Sequence, residues 1–306
     1  MTTTRQRLII SRLPIPMIKR NLARLMAGRV FATLTVALAA ISPSTVLAAM
    51  ELNMPRGVTD ISHKVYDMHM LAFYIMCLVA FGVFGAMTYS IIKHRKSKGA
   101  TPSTFHESTA VEVVWTVLPF VILTVLAIPA ARTLIVQEDD SGSEMTIKIT
   151  GYQWMWQYEY PDSGVSFMSR LSDASREARV IGSDIDVNTV ENYLLDVDKP
   201  LVIPVDTKVR FLLTSNDVIH SWWVPDFAIK KDAIPGFINT MWTKVNETGT
   251  YRGQCTELCG RDHGFMPVVV EVVEKAEFEQ WQAAAIAEQE REQLASAEAD
   301  SNLAAN

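Results

Sequence analysis

Twelve residues near the C-terminal third concentrate the chemistry of this chain. Within Gly253–Met266, which reads Gly-Gln-Cys-Thr-Glu-Leu-Cys-Gly-Arg-Asp-His-Gly-Phe-Met, Cys255, Cys259, His263 and Met266 follow one another at intervals of four, four and three. One loop therefore offers two thiolates, an imidazole and a thioether. A second imidazole, His220, lies upstream in Asp-Val-Ile-His-Ser-Trp-Trp-Val-Pro, at an expected strand end. Two Cys, two His and a weak Met donor form a soft ligand set, which selects copper over magnesium or calcium. The Met suits the long, weak axial position of copper sites, where it tunes the potential. A closed Cys2His2 zinc site explains four of these residues and leaves Met266 without a role. A Cys255–Cys259 disulfide is compatible with an oxidising compartment but leaves His220, His263 and Met266 unexplained. A chain of 306 residues with three cysteines and six histidines seldom gathers such a set in one window by coincidence.

The elements that must carry this window divide between membrane and water. Hydrophobic residues make up 49% of the chain and charged residues 20%, a mixture suited to a part-membrane, part-exported protein. The net charge of −6 argues against nucleic acid as a partner, which requires clustered Lys and Arg. Three cysteines, with Cys77 inside an apolar run, cannot staple a small disulfide scaffold. Residues 1–49 read as a secretory signal: Lys19, Arg20, Arg24 and Arg29 precede apolar Val30–Ile41, and small residues follow up to Ala49. The basic region is long, so translation starting at Met17 or Met26 is an alternative, as is an uncleaved third helix.

Residues 50–135 read as a transmembrane hairpin with helices at about 68–92 and 111–135. The apolar runs Met70–Ile92 and Val113–Ala131 are each long enough for a hydrocarbon core of about 30 Å. Pro119 and Pro129 are tolerable in a membrane bundle whose neighbours satisfy the freed carbonyls. Lys93, His94, Arg95, Lys96 and Lys98 link the two spans and place that link on the cytoplasmic side, so that the C-terminal domain lies outside. Glu112 at the cytoplasmic start of the second span reads, from position alone, as an interfacial acid at a helix N-terminus.

Residues 136–275 read as an all-β domain. Thr146–Tyr160, Leu201–Val205, Lys208–Leu213, Phe237–Val245 and Met266–Val273 are strand candidates, punctuated by Pro, Gly, Asn and Asp. Short strands without intervening helices predict a sandwich or Greek-key barrel. Gly164–Lys199 is polar and aperiodic and reads as a long loop or insertion. Residues 276–306, rich in Ala, Glu and Gln, read as a helix that frays into a disordered tail. Trp154, Trp156, Tyr158 and Tyr160 alternate as in a half-buried strand. From Glu138 to Lys199 there are thirteen acidic and five basic residues, a net charge of −8, enough to steer a basic partner.

The window Cys-Thr-Glu-Leu-Cys-Gly-x-x-His-x-x-Met, the upstream His-Ser-Trp, the aromatic segment from Gly151, Asp-Ala-Ile-Pro-Gly from Asp232 and the two-helix hairpin together resemble the cytochrome c oxidase subunit II family. That resemblance implies a transmembrane hairpin followed by a cupredoxin-like Greek-key barrel with a binuclear copper centre (copper A). It implies two copper ions bridged by Cys255 and Cys259, with His220 and His263 binding one copper each. Met266 would complete one copper and the backbone carbonyl of Glu257 the other. It also implies that the Glu257 side chain helps hold magnesium at the interface with subunit I, that Trp154 admits electrons from cytochrome c, and that Asp217 assists docking. Glu112, on the same ground, becomes an acid at the mouth of a proton-uptake channel. The implied partners are subunit I with its haems and second copper site, subunit III, cytochrome c and membrane lipid, in a bacterial inner membrane with the β domain periplasmic. The implied activity is electron entry into an oxidase that reduces oxygen to water and pumps protons, with no oxygen chemistry on this chain. Met155 and Tyr152 depart from the family pattern, which often has an aromatic residue and commonly a histidine there. A metal-free quinol oxidase subunit, a copper-delivery or zinc-stabilised export protein, and nitrous oxide reductase, which shares the copper motif, are the alternatives. The intact ligand set opposes the first and the membrane hairpin the last.

Overall fold

The computed structural model describes residues 53–304, with side chains described as far as residue 297. The signal expected at 1–49 lies outside the described residues. Two helices, α1 (Asp60–Lys93) and α2 (Thr109–Glu138), are long and apolar enough to cross a membrane. At 1.5 Å per residue they extend about 51 and 45 Å, beyond a hydrocarbon core of about 30 Å. Their apolar side chains point outward, with Phe81 80% and Phe120 70% exposed, as lipid or partner helices require.

α1 starts well before the apolar run, because its start is set by a cap and not by hydropathy. The Thr59 hydroxyl accepts from the Ser62 N–H at 2.9 Å, and the Ser62 hydroxyl accepts from the Thr59 N–H at 3.0 Å, a reciprocal capping box. Thr59, Ile61 and Ser62 are buried, and Thr59 bridges to Val245 of the β domain. At the other end of the hairpin, Lys231 pairs with Glu138 at 3.0 Å. Lys208 Nζ donates to the carbonyls of Asp139 and Ser141 at 2.9 and 2.6 Å while lying 4.1 Å over the Trp242 ring. A cation there satisfies carbonyls at the helix C-terminus. Both helices are thus spliced into the β domain.

That domain is a sandwich of two five-stranded sheets. Its strands are β1 (Met145–Tyr152), β2 (Met155–Tyr160), β3 (Val165–Ser169), β4 (Leu201–Pro204), β5 (Val209–Ser215), β6 (His220–Val224), β7 (Ile229–Ala233), β8 (Asn239–Thr243), β9 (Gly249–Cys255) and β10 (Pro267–Val273). One sheet has the order β3-β2-β1-β5-β8 and the other β4-β10-β9-β6-β7. The pairs β1–β5 and β4–β10 are parallel and the remaining pairs antiparallel. Period-two burial is clear in β2 and β5, where Trp156, Tyr158, Tyr160, Val209, Phe211 and Leu213 turn inward. The buried Trp222 ring donates to the Tyr158 hydroxyl at 3.2 Å, so neither polar tip is stranded in the core.

The stretch Gly164–Lys199, expected as a long loop or an insertion, carries regular structure of its own. It opens with β3, an edge strand whose exposed Ser166 and Met168 hide its alternation, and continues into a short helix α3 (Asp173–Ala178). Its neck is closed by a Leu171–Val197 bridge and by Arg170, whose side chain and N–H both reach the Asp198 carboxylate at 2.9 Å. The C-terminal segment forms one helix, α4 (Lys275–Ala304). Phe278 and Trp281 pack on Tyr160 and Phe167. Gln289 caps the free edge of β3, accepting from the Ser166 N–H at 2.9 Å and donating to the Gly164 carbonyl at 3.1 Å.

Candidate metal centre

Strand pairing brings the distant histidine to the cysteine loop. β6 begins at His220 and β9 ends at Cys255, and the two strands pair with Trp222 opposite Cys255. The ladder continues past the strand end, with the Thr256 N–H donating to the Ser221 carbonyl at 3.0 Å. The loop then doubles back, pinched by the Cys255 N–H on the Met266 carbonyl at 3.3 Å. A single turn at His263–Phe265 delivers the last two donors.

The result is one cluster of soft donors. The Cys255 and Cys259 sulfurs lie 3.8 Å apart. His220 Nδ1 is 4.0 Å from the Cys255 sulfur, and His263 Nδ1 is 3.5 Å from that of Cys259. Met266 Sδ is 3.4 Å from the Cys259 sulfur, and the Glu257 carbonyl is 3.4 Å from that of Cys255. Ligand atoms of His220, Cys255 and Cys259 all fall within 4.8 Å of one another. His220, Cys255, Cys259 and Met266 are buried, and His263 is half-buried. A covalent disulfide needs about 2.05 Å. Sulfurs at this larger separation can both reach one metal ion at about 2.3 Å, the length of a zinc–thiolate bond. Side-chain N and S atoms of His220, Cys255, Cys259, His263 and Met266, with the Glu257 carbonyl, therefore lie together in the structure.

The surrounding groups hold that cluster in place. His220 Nε2 lies 2.9 Å from Asp217 Oδ1, leaving Nδ1 to face the sulfurs. The Asp217 carboxylate also accepts from the N–H groups of Gln153 and Val218, each at 2.6 Å. The acid expected at a docking surface thus also orients His220, with its side chain 28% exposed. Gln153 additionally donates through its side chain to the Cys259 carbonyl at 2.8 Å, tying both halves of the site to the β1–β2 turn. Trp156 meets the His220 ring edge-to-face at 5.8 Å. Gly151 leaves space for the same ring: a Cβ there would stand 2.8 Å from His220 Cδ2. Sequence reasoning missed Gly151 and Gln153, although both lie in the aromatic segment it singled out.

The other expected residues are placed as follows. Trp154 is half-buried against the metal loop, where a Cβ on Gly260 (φ +120°) would come within 3.2 Å of its ring. The side chain of Glu257 is exposed beside the cluster. Glu112 lies in the first turn of α2, at the end of the hairpin remote from the β domain.

Burial and charge divide the two thiols. Burial raises the Cys255 thiol, but the contact with His220 and backbone hydrogen bonds from Ser221 and Glu257 outweigh it and leave the thiol below its ordinary value. Cys259 is pushed up to about 12 by burial and by negative charge on Cys255. Burial lowers His220, yet its contacts with Cys255 and Asp217 leave it raised. Burial raises Asp217, and its hydrogen bonds from His220, Val218 and Gln153 bring it below the usual carboxylate range.

Comparison with known proteins adds the family. The profile for the periplasmic domain of cytochrome c oxidase subunit II matches residues 145–273, and that for its transmembrane domain matches residues 48–132. A probable cytochrome c oxidase subunit 2 from Rickettsia bellii is 38% identical over 249 residues, covering 81% of this chain and 87% of that relative. Cytochrome c oxidase subunit 2 of Arabidopsis thaliana is 34% identical, covering 79% of this chain and 92% of its own. The crystal structure of the periplasmic domain of subunit II of cytochrome oxidase from Bradyrhizobium japonicum shares 41% identity over 47% of this chain and 94% of that one, with a TM-score of 0.41. A membrane hairpin, a β sandwich of the cupredoxin-like type and these family matches lead to one assignment: the chain is a cytochrome c oxidase subunit II family member, part of a haem–copper oxidase, with a periplasmic domain.

Proposed function

We propose that this chain is the electron-entry subunit of its oxidase, taking single electrons from cytochrome c at a binuclear copper centre and passing them to a haem of subunit I. The observation that carries this reading is the convergence of two sulfurs, two imidazoles, a thioether and a carbonyl at one end of the sandwich. The donor set fits copper. A closed tetrahedral zinc site uses four ligands, whereas here Met266 sits 1% exposed with its thioether directed at the Cys259 sulfur. His220, Cys255, Cys259, His263, Met266 and the Glu257 backbone carbonyl would together hold the copper pair. When bound, such a copper pair supplies a one-electron carrier that needs no proton transfer. The residues' own contribution is rigidity: donors fixed by strand ends and by hydrogen-bonded neighbours move little when charge changes.

The remaining roles follow from the family and from position. The Trp154 ring, lying on the metal loop and partly open to solvent, is the entry point for electrons. The acidic stretch 138–199, with Asp217, steers a basic cytochrome c. The exposed Glu257 side chain contributes to a magnesium site at the interface with subunit I. Glu112 assists proton uptake from the cytoplasmic side. Residues 1–49 serve as an export signal, and the hairpin anchors the chain in a bacterial inner membrane beside subunits I and III. The oxidase as a whole reduces oxygen to water and pumps protons.

Copper loading of the purified full-length chain in detergent tests this. Two coppers per chain with a delocalised mixed-valence EPR signal are expected. A preference for zinc, or a single copper, overturns the reading.

A further inference from the structure

The excursion between β3 and β4 reaches the metal loop through one side chain. Arg179 directly follows α3, whose Ser175 and Ala178 are buried and whose Ser175 hydroxyl accepts from the Leu194 N–H at 3.1 Å. The excursion is therefore a built element, closed at its neck and anchored through its helix. From that anchor the Arg179 guanidinium pairs with Asp262 at 3.2 Å and lies 4.3 Å from the centroid of the Phe265 ring. Arg179 and Asp262 are shielded, with side chains 28% and 14% exposed. Asp262 and Phe265 bracket the turn that presents His263, and Phe265 adjoins Met266. The other cation near Asp262, Arg261, is 82% exposed at 3.4 Å and stands 5.6 Å from the Trp154 ring.

We propose that Arg179 is a positioning residue of the metal centre: it clamps the His263–Phe265 turn and fixes the approach of His263 and Met266 to the sulfurs. The ion pair sets where the turn begins and the stacked guanidinium sets where it ends. A planar, delocalised cation can make both contacts at once, and a lysine ammonium cannot do so with the same geometry. The His263–Phe265 turn lies between the end of β9 and the start of β10, so a clamp from outside the sheets holds it.

The inference rests on the reading of the cluster as a copper site, and one experiment separates the two. Full-length wild type, Arg179→Ala, Arg179→Lys and the control Arg176→Ala, which alters an exposed pair with Asp173 on α3, are loaded with copper. Copper release to a chelator, the EPR hyperfine pattern and circular dichroism are then recorded. Arg179→Ala is expected to release copper about tenfold faster with an altered hyperfine pattern, the scale typical for loss of a group that orients metal ligands. Arg179→Lys should fall between it and wild type, and Arg176→Ala should match wild type. Should Arg179→Ala misfold, the lysine variant carries the test through its hyperfine pattern. Wild-type spectra and release rates in folded Arg179 variants overturn the clamp. Failure of wild type to bind copper overturns the underlying site instead.

Discussion

His220 and His263 face the same pair of sulfurs from two different kinds of scaffold. His220 starts a strand, has no exposed surface, packs against Trp156 and Gly151, and is fixed at its far nitrogen by Asp217. His263 sits half-buried on a single turn, eight residues past the end of β9, with Gly264 beside it and, apart from its chain neighbours, no described atom within 4 Å of where a Gly264 Cβ would stand. One half of the centre is set by the sheet and its core. The other is set by a loop that returns to the sheet at Met266. The sheet half resists displacement because core packing is dense and a single added methyl is felt. The loop half has no such core around it: it is held by the Arg179 clamp and by its return at Met266, with open space at Gly264.

The most drastic way to break this comparison is to remove what both halves share. Cys255→Ser should reduce copper content to background in metal analysis, since a hydroxyl replaces a soft bridging donor. Retention of two coppers per chain would show that the sulfurs are not the organising element. Next in size is the sheet half. Gly151→Ala places a carbon 2.8 Å from His220 Cδ2, so the ring must shift. Overpacking of this kind costs about 1–3 kcal/mol, visible as a lower unfolding midpoint of the metal-free chain, together with a changed EPR spectrum after loading. The smallest effect belongs to the loop half. Gly264→Ala meets open space and should leave both melting and spectrum within error of wild type. A reversed order for the two glycines would mean that the loop, and not the sheet, is the stiff side.

The same division explains what could be read from residue order. The window from Cys255 to Met266 is local, so donor types and intervals expose it directly, and His220 stands out through its Ser-Trp neighbours. Gly151, Gln153 and Arg179 support the site through contacts spanning from tens to more than a hundred residues, and nothing in their immediate neighbours signals those contacts. The start of α1 was hidden because polar first turns between Asp60 and Asp67 look like the end of a membrane span, while a Thr–Ser capping box extends the helix through them. β3 was hidden because an edge strand needs only one buried face, and five residues give too few alternations to register.

The splices at Thr59 and Lys208 have a mechanical consequence. A swivel at the junction would let the helix pair adapt to bilayers of differing thickness while the sandwich kept its attitude. With the first helix capped inside the β domain and the second gripped by lysines, tilt is transmitted to the sandwich as a rigid lever. Compliance then falls to Pro119 and Pro129, where the missing backbone N–H weakens the helix ladder. A thinner or thicker membrane would thus bend α2 at its prolines, while α1, which has none, would carry its tilt into the sandwich.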